Sequence, residues 1–145
     1  MIRFWDTSAL VKLFHRQESA HARASNLIYG AGKTIRQITS MIVAVELVAV
    51  VVRETRDRQL AKQAVELLRG FEQMEFLEAH RDLAVRLALA GQARGADTAI
   101  AAQALAVAIV GDRLEFVTAD RDQSRVIERE AKAHRLKLRL ILLSA

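Results

Sequence analysis

Five short apolar stretches recur along the chain, each parted from the next by helix-periodic sequence, and this alternation restricts the fold more than any other feature. Ile2–Trp5, Thr34–Ile38, Met74–Leu77 and Leu114–Val117 read as strands, while Leu136, Leu138 and Leu140 alternate with Lys137 and Arg139 as in an edge strand with one wet face. Helical spacing predicts helices over Thr7–His15, Ser19–Tyr29, Ser40–Arg53, Arg58–Gly70, Asp82–Gln92, Thr98–Val110 and Arg121–His134. Strands that alternate with helices require crossover connections, so the expected class is α/β. It is a three-layer α/β/α arrangement around a mainly parallel sheet of about five strands. Such crossovers bring the carboxyl ends of the strands to one edge, where ligand sites form in open sheets.

One segment resists assignment by propensity. Ser40–Arg53 is rich in isoleucine and valine, which favours a strand, yet it is more than twice the usual strand length of about five or six residues. Length decides for a helix, expected to be almost wholly buried. A role in a dimer or partner surface is the weaker reading of its apolar character. The neighbouring Thr98–Val110 is built largely of alanine, which lets a helix backbone lie close against a sheet.

With 145 residues the chain suits a single domain, 1–145, and its 52% hydrophobic and 27% charged residues suit a soluble globular class. There is no cysteine, so disulfides and thiolate metal sites are excluded, and any metal would be held by oxygen or imidazole. The opening residues read as a strand rather than a secretory leader, and Met41–Val52 is too short to span a bilayer. A cytoplasmic protein without membrane attachment is expected. The net charge of +5 points toward an anionic partner, nucleic acid first.

Four acids stand where a site in such a fold would lie. Asp6 follows the first strand directly, Asp120 comes just past Leu114–Val117, and Asp97 opens the alanine-rich helix. Each of the three also reads as a plain helix N-cap. Glu46 does not, because it is the single charge within the apolar run Met41–Val52. A carboxylate there needs a cation, a strong donor or an arginine partner, or it becomes neutral. Two carboxylates about 4 Å apart repel by roughly 4 kcal/mol at an effective dielectric near 20, so four in one cleft require compensation. An oxygen-only cluster suits Mg²⁺ or Mn²⁺. Thr7 and Thr118 are candidates to position water or phosphate, or else to satisfy backbone donors, and Lys12, Arg16 and Arg94 are candidate phosphate contacts or plain surface charges. The four histidines, His15, His21, His80 and His134, fall in polar stretches and are expected to face solvent.

Four segments together resemble the PIN-domain family, in particular the VapC type of toxin ribonuclease from type II toxin–antitoxin systems. They are Phe4-Trp5-Asp6-Thr7-Ser8-Ala9-Leu10-Val11-Lys12-Leu13, Thr39-Ser40 with Glu46-Leu47, Gly95-Ala96-Asp97-Thr98-Ala99-Ile100-Ala101, and Phe116-Val117-Thr118-Ala119-Asp120-Arg121. The resemblance covers nearly the whole chain and implies a PIN-like fold. It further implies that Asp6, Glu46, Asp97 and Asp120 are catalytic and bind one or two divalent cations, Mg²⁺ or Mn²⁺. The implied activity is endonucleolytic cleavage of RNA, leaving a 5′-phosphate and a 3′-hydroxyl. Implied partners are the RNA substrate, a cognate VapB-type antitoxin inserting a segment near the cleft, and a second copy in a homodimer. Trp5 stands where such proteins often carry another aromatic or an aliphatic residue, and Asp122 is an alternative fourth acid, with Asp120 favoured because it falls where the family's motif puts the acid.

Other classes fit less well. A PIN-like RNA-processing nuclease without antitoxin shares the chemistry, and a non-catalytic binding protein would use the carboxylates structurally. A phosphoacceptor module wants a mid-chain strand-end aspartate, where this chain has Glu46 in a helix. A nucleotide-binding module wants a glycine-rich phosphate loop, and neither common pattern is present.

Overall fold

A computed structural model of the chain describes residues 1–91 and 94–143. Its five strands are β1 (Ile2–Trp5), β2 (Arg36–Ser40), β3 (Glu72–Met74), β4 (Leu114–Thr118) and β5 (Leu138–Leu142). They form one sheet in the order β3-β2-β1-β4-β5, and every pairing is parallel. The helices are α1 (Thr7–Val11), continued by a 3₁₀ turn at Lys12–Phe14, then α2 (Ser19–Tyr29), α3 (Met41–Thr55), α4 (Arg58–Arg69), α5 (Glu78–Leu89), α6 (Gly95–Ile109) and α7 (Arg121–Ala133). Every residue of β1 and β4 is buried, so both faces of the central strands are covered, as a parallel sheet requires. The expected α/β class with its five-stranded parallel sheet is observed.

Boundaries differ from expectation in several places. β2 begins two residues later than predicted, at Arg36. The third strand is Glu72–Met74 rather than Met74–Leu77, because pairing with Ile38–Ser40 selects a polar, exposed edge segment that carries no hydrophobic signal. Helix α5 starts at Glu78 rather than Asp82, and its predicted end at Gln92 lies outside the described residues. Helix α6 starts three residues earlier than predicted, at Gly95, which places Asp97 inside its first turn.

Ser40 sets the switch from β2 to α3, its Oγ accepting the Ile42 N–H at 3.0 Å. Asp57 caps α4 in the same way, accepting from Gln59 and Leu60. Helix α3 is not almost wholly buried. Val43, Leu47 and Val51 face the core, while Val45 is 72% exposed and Met41 and Val52 are also open. No element covers that outer stripe among the described residues, and it forms one wall of an apolar groove of about 810 Å³ shared with Val65 and Leu68 of α4.

The core runs through the sheet. Phe4 and Phe116 stack across β1 and β4 with centroids 6.0 Å apart, and Trp5 meets Phe71 edge-on at 6.3 Å. Trp5 is fully buried and its indole N–H donates to Gln37 Oε1 at 2.6 Å, so the unusual residue at this place is satisfied. Beside it lies a buried ion pair that sequence reading missed. Arg3 meets Glu115 at 2.9 Å, in register across β1 and β4, and also donates to the Leu27 carbonyl of α2. No described helix is long and apolar enough to cross a membrane.

Candidate metal centre

The chain order of the sheet reverses at β1, with β2 and β3 to one side and β4 and β5 to the other. A crevice opens at such a switch point, outside the carboxyl ends of the strands. Asp6 leaves β1 there, and its N–H donates to the Val117 carbonyl of β4 at 3.0 Å. Asp120 follows β4 two residues past its end.

Asp6, Glu46, Asp97 and Asp120 all line one cleft of about 860 Å³. Asp6 is 2% exposed and accepts three hydrogen bonds. The Thr7 N–H meets Oδ1 at 2.8 Å, and the hydroxyls of Ser8 and Thr118 meet Oδ2 at 2.7 and 2.8 Å. Burial pushes its carboxyl above the ordinary value. The Ser8, Thr118 and Thr7 donors oppose that rise, and the charge of Asp120 adds to it. Glu46 projects from α3, half-buried, and accepts the Thr7 hydroxyl at Oε1, 2.8 Å away. Asp120 caps α7, its Oδ1 taking the N–H groups of Asp122 at 2.8 Å and Gln123 at 3.2 Å.

Asp97 stands in the first turn of α6, behind an N-cap at Arg94 whose side chain makes no cap bond. Its pKa is raised to about 6, first by burial and then by the charges of Asp6, Asp120 and Glu46, with Arg94 pulling the other way. All three other acids therefore act on it electrostatically. The cap reading and the site reading coexist for Asp6 and Asp120, since each carboxylate caps a helix and lines the cleft. The cap reading fails for Asp97. An arginine partner for Glu46 is also absent among the described ion pairs.

The donors explain how four acids share a cleft. Hydroxyls of Thr7, Ser8 and Thr118 take part of the charge, and the helix N-termini beneath Asp97 and Asp120 favour anions. Among the described residues, no group of three or more acid or histidine side chains is already arranged to hold an ion. The chemistry of the donor set nevertheless fits a hard divalent cation, which takes some carboxylates directly and others through its waters. Burial and the neighbouring carboxylates together raise the Asp97 pKa, and a cation would offset both.

The structure decides among several sequence-based alternatives and overturns the solvent-facing reading of His80. Thr118 is fully buried, so it does not face the cleft. It donates to Asp6 and accepts the Asp120 N–H at 3.0 Å, tying two of the acids together. His80 does not face solvent either. It is 7% exposed, and its Nδ1 accepts the Leu77 N–H at 3.0 Å at the start of α5. His15 is half-buried on the cleft wall, between Glu18 at 3.2 Å and Glu54 at 2.9 Å. Lys12 and Arg94 line the cleft, with Lys12 held 2.5 Å from Glu18, whereas Arg16 lines a separate groove with Leu13 and His21. Asp122 is exposed and lies 3.6 Å from Arg125, though it also borders the cleft.

Sequence reading assigned no role to Ser8, Gln123 or Arg53, all of which border the cleft. Ser8 Oγ also accepts the Ala119 N–H at 2.9 Å, which locks the β4 exit onto α1. Its place two residues after a strand-end aspartate was the available signal. Gln123 carried none.

The PIN-domain family profile matches residues 3–129. No curated protein matches the chain significantly. Among solved structures, VapBC-1 from nontypeable Haemophilus influenzae is 16% identical with a TM-score of 0.68, over 99% of this chain and 98% of that one. VapC20 from Mycobacterium tuberculosis, described as a sarcin–ricin loop cleaving toxin, is 19% identical with a TM-score of 0.68, over 85% and 93%. VapBC2 from Rickettsia felis, bound to a promoter DNA fragment, is 20% identical with a TM-score of 0.63, over 98% of each chain. At such identities these likenesses speak for the fold, and the profile match over most of the length, with the acids it spans gathered at the switch point, places the chain in the PIN-domain family.

Proposed function

We propose that this PIN domain is a divalent-cation-dependent endoribonuclease and the toxin of a VapBC-type toxin–antitoxin pair. The observation that carries the reading is the convergence of Asp6, Glu46, Asp97 and Asp120, from four separate elements, on one cleft, where burial first and then the charges of the other three raise the pKa of Asp97. Clustered charge of this kind is costly in a merely structural role and is characteristic of sites built for chemistry.

In this reading the four carboxylates hold Mg²⁺ or Mn²⁺, Asp6 and Asp97 directly and Glu46 and Asp120 directly or through water. Bound there, such a cation supplies an acidified water for attack on phosphorus and neutralises charge developing on the phosphoryl oxygens. The protein's own part is orientation. Ser8 and Thr118 fix the rotamer of Asp6 and oppose the rise of its pKa, and Thr7 holds Glu46. Lys12, Arg53 and Arg94 rim the cleft as cations facing an anionic strand, in keeping with the net charge of +5. The VapBC complexes of similar fold support an antitoxin partner, and the toxin described as cleaving the sarcin–ricin loop supports a nucleic-acid substrate, here RNA. The uncovered stripe of α3 supports a protein interface, here a homodimer.

The test uses purified protein and RNA. Cleavage is expected with Mg²⁺ or Mn²⁺, to stop on chelation, and to slow by roughly a hundredfold or more in Asp6→Asn of unchanged circular dichroism. Expression of the wild type should arrest growth while Asp6→Asn does not. Equal cleavage by both proteins would remove the site from the reaction. A neighbouring small reading frame for a DNA-binding protein separates the toxin from an antitoxin-free RNA-processing nuclease.

A further inference from the structure

Gln123 touches two of the four acid residues at once. Its backbone N–H donates to Asp120 Oδ1 at 3.2 Å, and its side-chain Nε2 donates to the Asp97 carbonyl at 2.8 Å. The side chain is 1% exposed and borders the cleft. Because the facing atom is a carbonyl, the amide must present nitrogen to it. Its Oε1 is then left in a buried place with no donor among the described residues.

This arrangement is poor as packing. A buried acceptor without a donor is destabilising, and an apolar side chain of the same shape would avoid it. Nor does the Asp97 carbonyl depend on the amide, because it lies in the first turn of α6, where the ladder brings the N–H four residues on. Helix α6 carries one acid and α7 is capped by another. Among the described hydrogen bonds, the Gln123 amide is the link that ties the Asp97 backbone to α7.

We propose that Gln123 is a positioning residue for the cation site, retained at a cost to stability because it sets the spacing of Asp97 from Asp120. The proposal rests on the reading of the cleft as a divalent-cation site. It makes Gln123 a residue that touches neither cation nor RNA and acts through the helices that carry the acids.

The experiment compares the wild type with Gln123→Met, close to it in shape and lacking the donor, and with Gln123→Glu. Gln103→Met serves as a control, since Gln103 has the same orphaned Oε1 but donates to the Met74 carbonyl instead. Mn²⁺ affinity is measured by calorimetry without RNA, thermal stability by circular dichroism, and amide exchange over residues 95–99 in metal-free protein. Gln123→Met should keep or raise Tm, exchange severalfold faster at the start of α6, and bind Mn²⁺ roughly tenfold more weakly, as loss of a ligand-orienting partner does. Gln123→Glu should also bind more weakly than wild type despite its added charge, because an ionised carboxylate cannot donate to a carbonyl. Gln103→Met should leave the affinity unchanged. Unaltered exchange or unaltered affinity in Gln123→Met overturns the proposal, as does a lowered Tm or loss of fold, which would make Gln123 a packing residue. Should the wild type itself take up no Mn²⁺, the cation reading falls, and the exchange rates still decide whether the link between the helices exists.

Discussion

At the scale of single residues, the site depends on how each carboxylate is supplied with donors. Asp6 is nearly sealed off yet receives three hydrogen bonds, whereas Asp97, half-buried, is left among like charges. The consequence is a definite pH dependence. Asp97 keeps its proton to about pH 6 in the folded protein, while its ordinary value is 3.8, so between these values the native state binds more protons than the unfolded one. Stability from this group is therefore fully present below about pH 4 and is lost as pH rises through 6. In cation-free buffer, the wild type should lose stability relative to Asp97→Asn as pH goes from 4 to 7, measured by urea unfolding. Mg²⁺ should restore the wild type more than the variant, and a constant difference across that range would show that Asp97 does not feel its neighbours.

At the scale of elements, β1 and β4 are joined by more than their ladder. The Arg3–Glu115 pair sits in register between them, both side chains 6% exposed, with Arg139 of β5 3.9 Å from the same glutamate. Removing one partner leaves a buried charge, so Glu115→Ala should cost about 3–5 kcal/mol in denaturant unfolding, with the m value unchanged. The double replacement Arg3→Met with Glu115→Leu should recover most of that loss, because well-packed apolar residues often substitute for a buried pair. Recovery would assign the pair to alignment of the two strands that deliver Asp6 and Asp120. These two charges interrupt the apolar pattern of β1 and β4, yet the strands remained legible from their flanking residues. Strand β3 was not legible, because Glu72-Gln73-Met74 at a sheet edge needs no apolar side chains and is defined by pairing with β2 alone.

At the scale of the whole molecule, the outer stripe of α3 is the feature without a partner. Val45 is 72% exposed beside an apolar groove shared with α4, so Val45→Asp should leave Tm within about 1–2 °C of the wild type. If the stripe is the seam of a homodimer, the same change should shift the species seen by light scattering from dimer to monomer. An unchanged mass would place any dimer elsewhere. Burial of α3 was overestimated for an understandable reason. An apolar run signals that a surface is to be covered, but not whether its own chain or another covers it.

The sequence by itself determined the architecture, because crossover connectivity follows from local periodicity, and it singled out four acids that the fold brings to one cleft, two of them just past strand ends. It could also show that Glu46 needed a partner, since a lone charge among valines is conspicuous without coordinates. Only the tertiary structure decided that the partner is Thr7, that Thr118 and Ser8 turn inward to hold Asp6, and that Gln123 spans two helices to reach Asp97. Those contacts join residues up to 112 positions apart. A hydroxyl or amide has no periodic signature, and its role is set by whichever distant group folding brings within hydrogen-bonding reach.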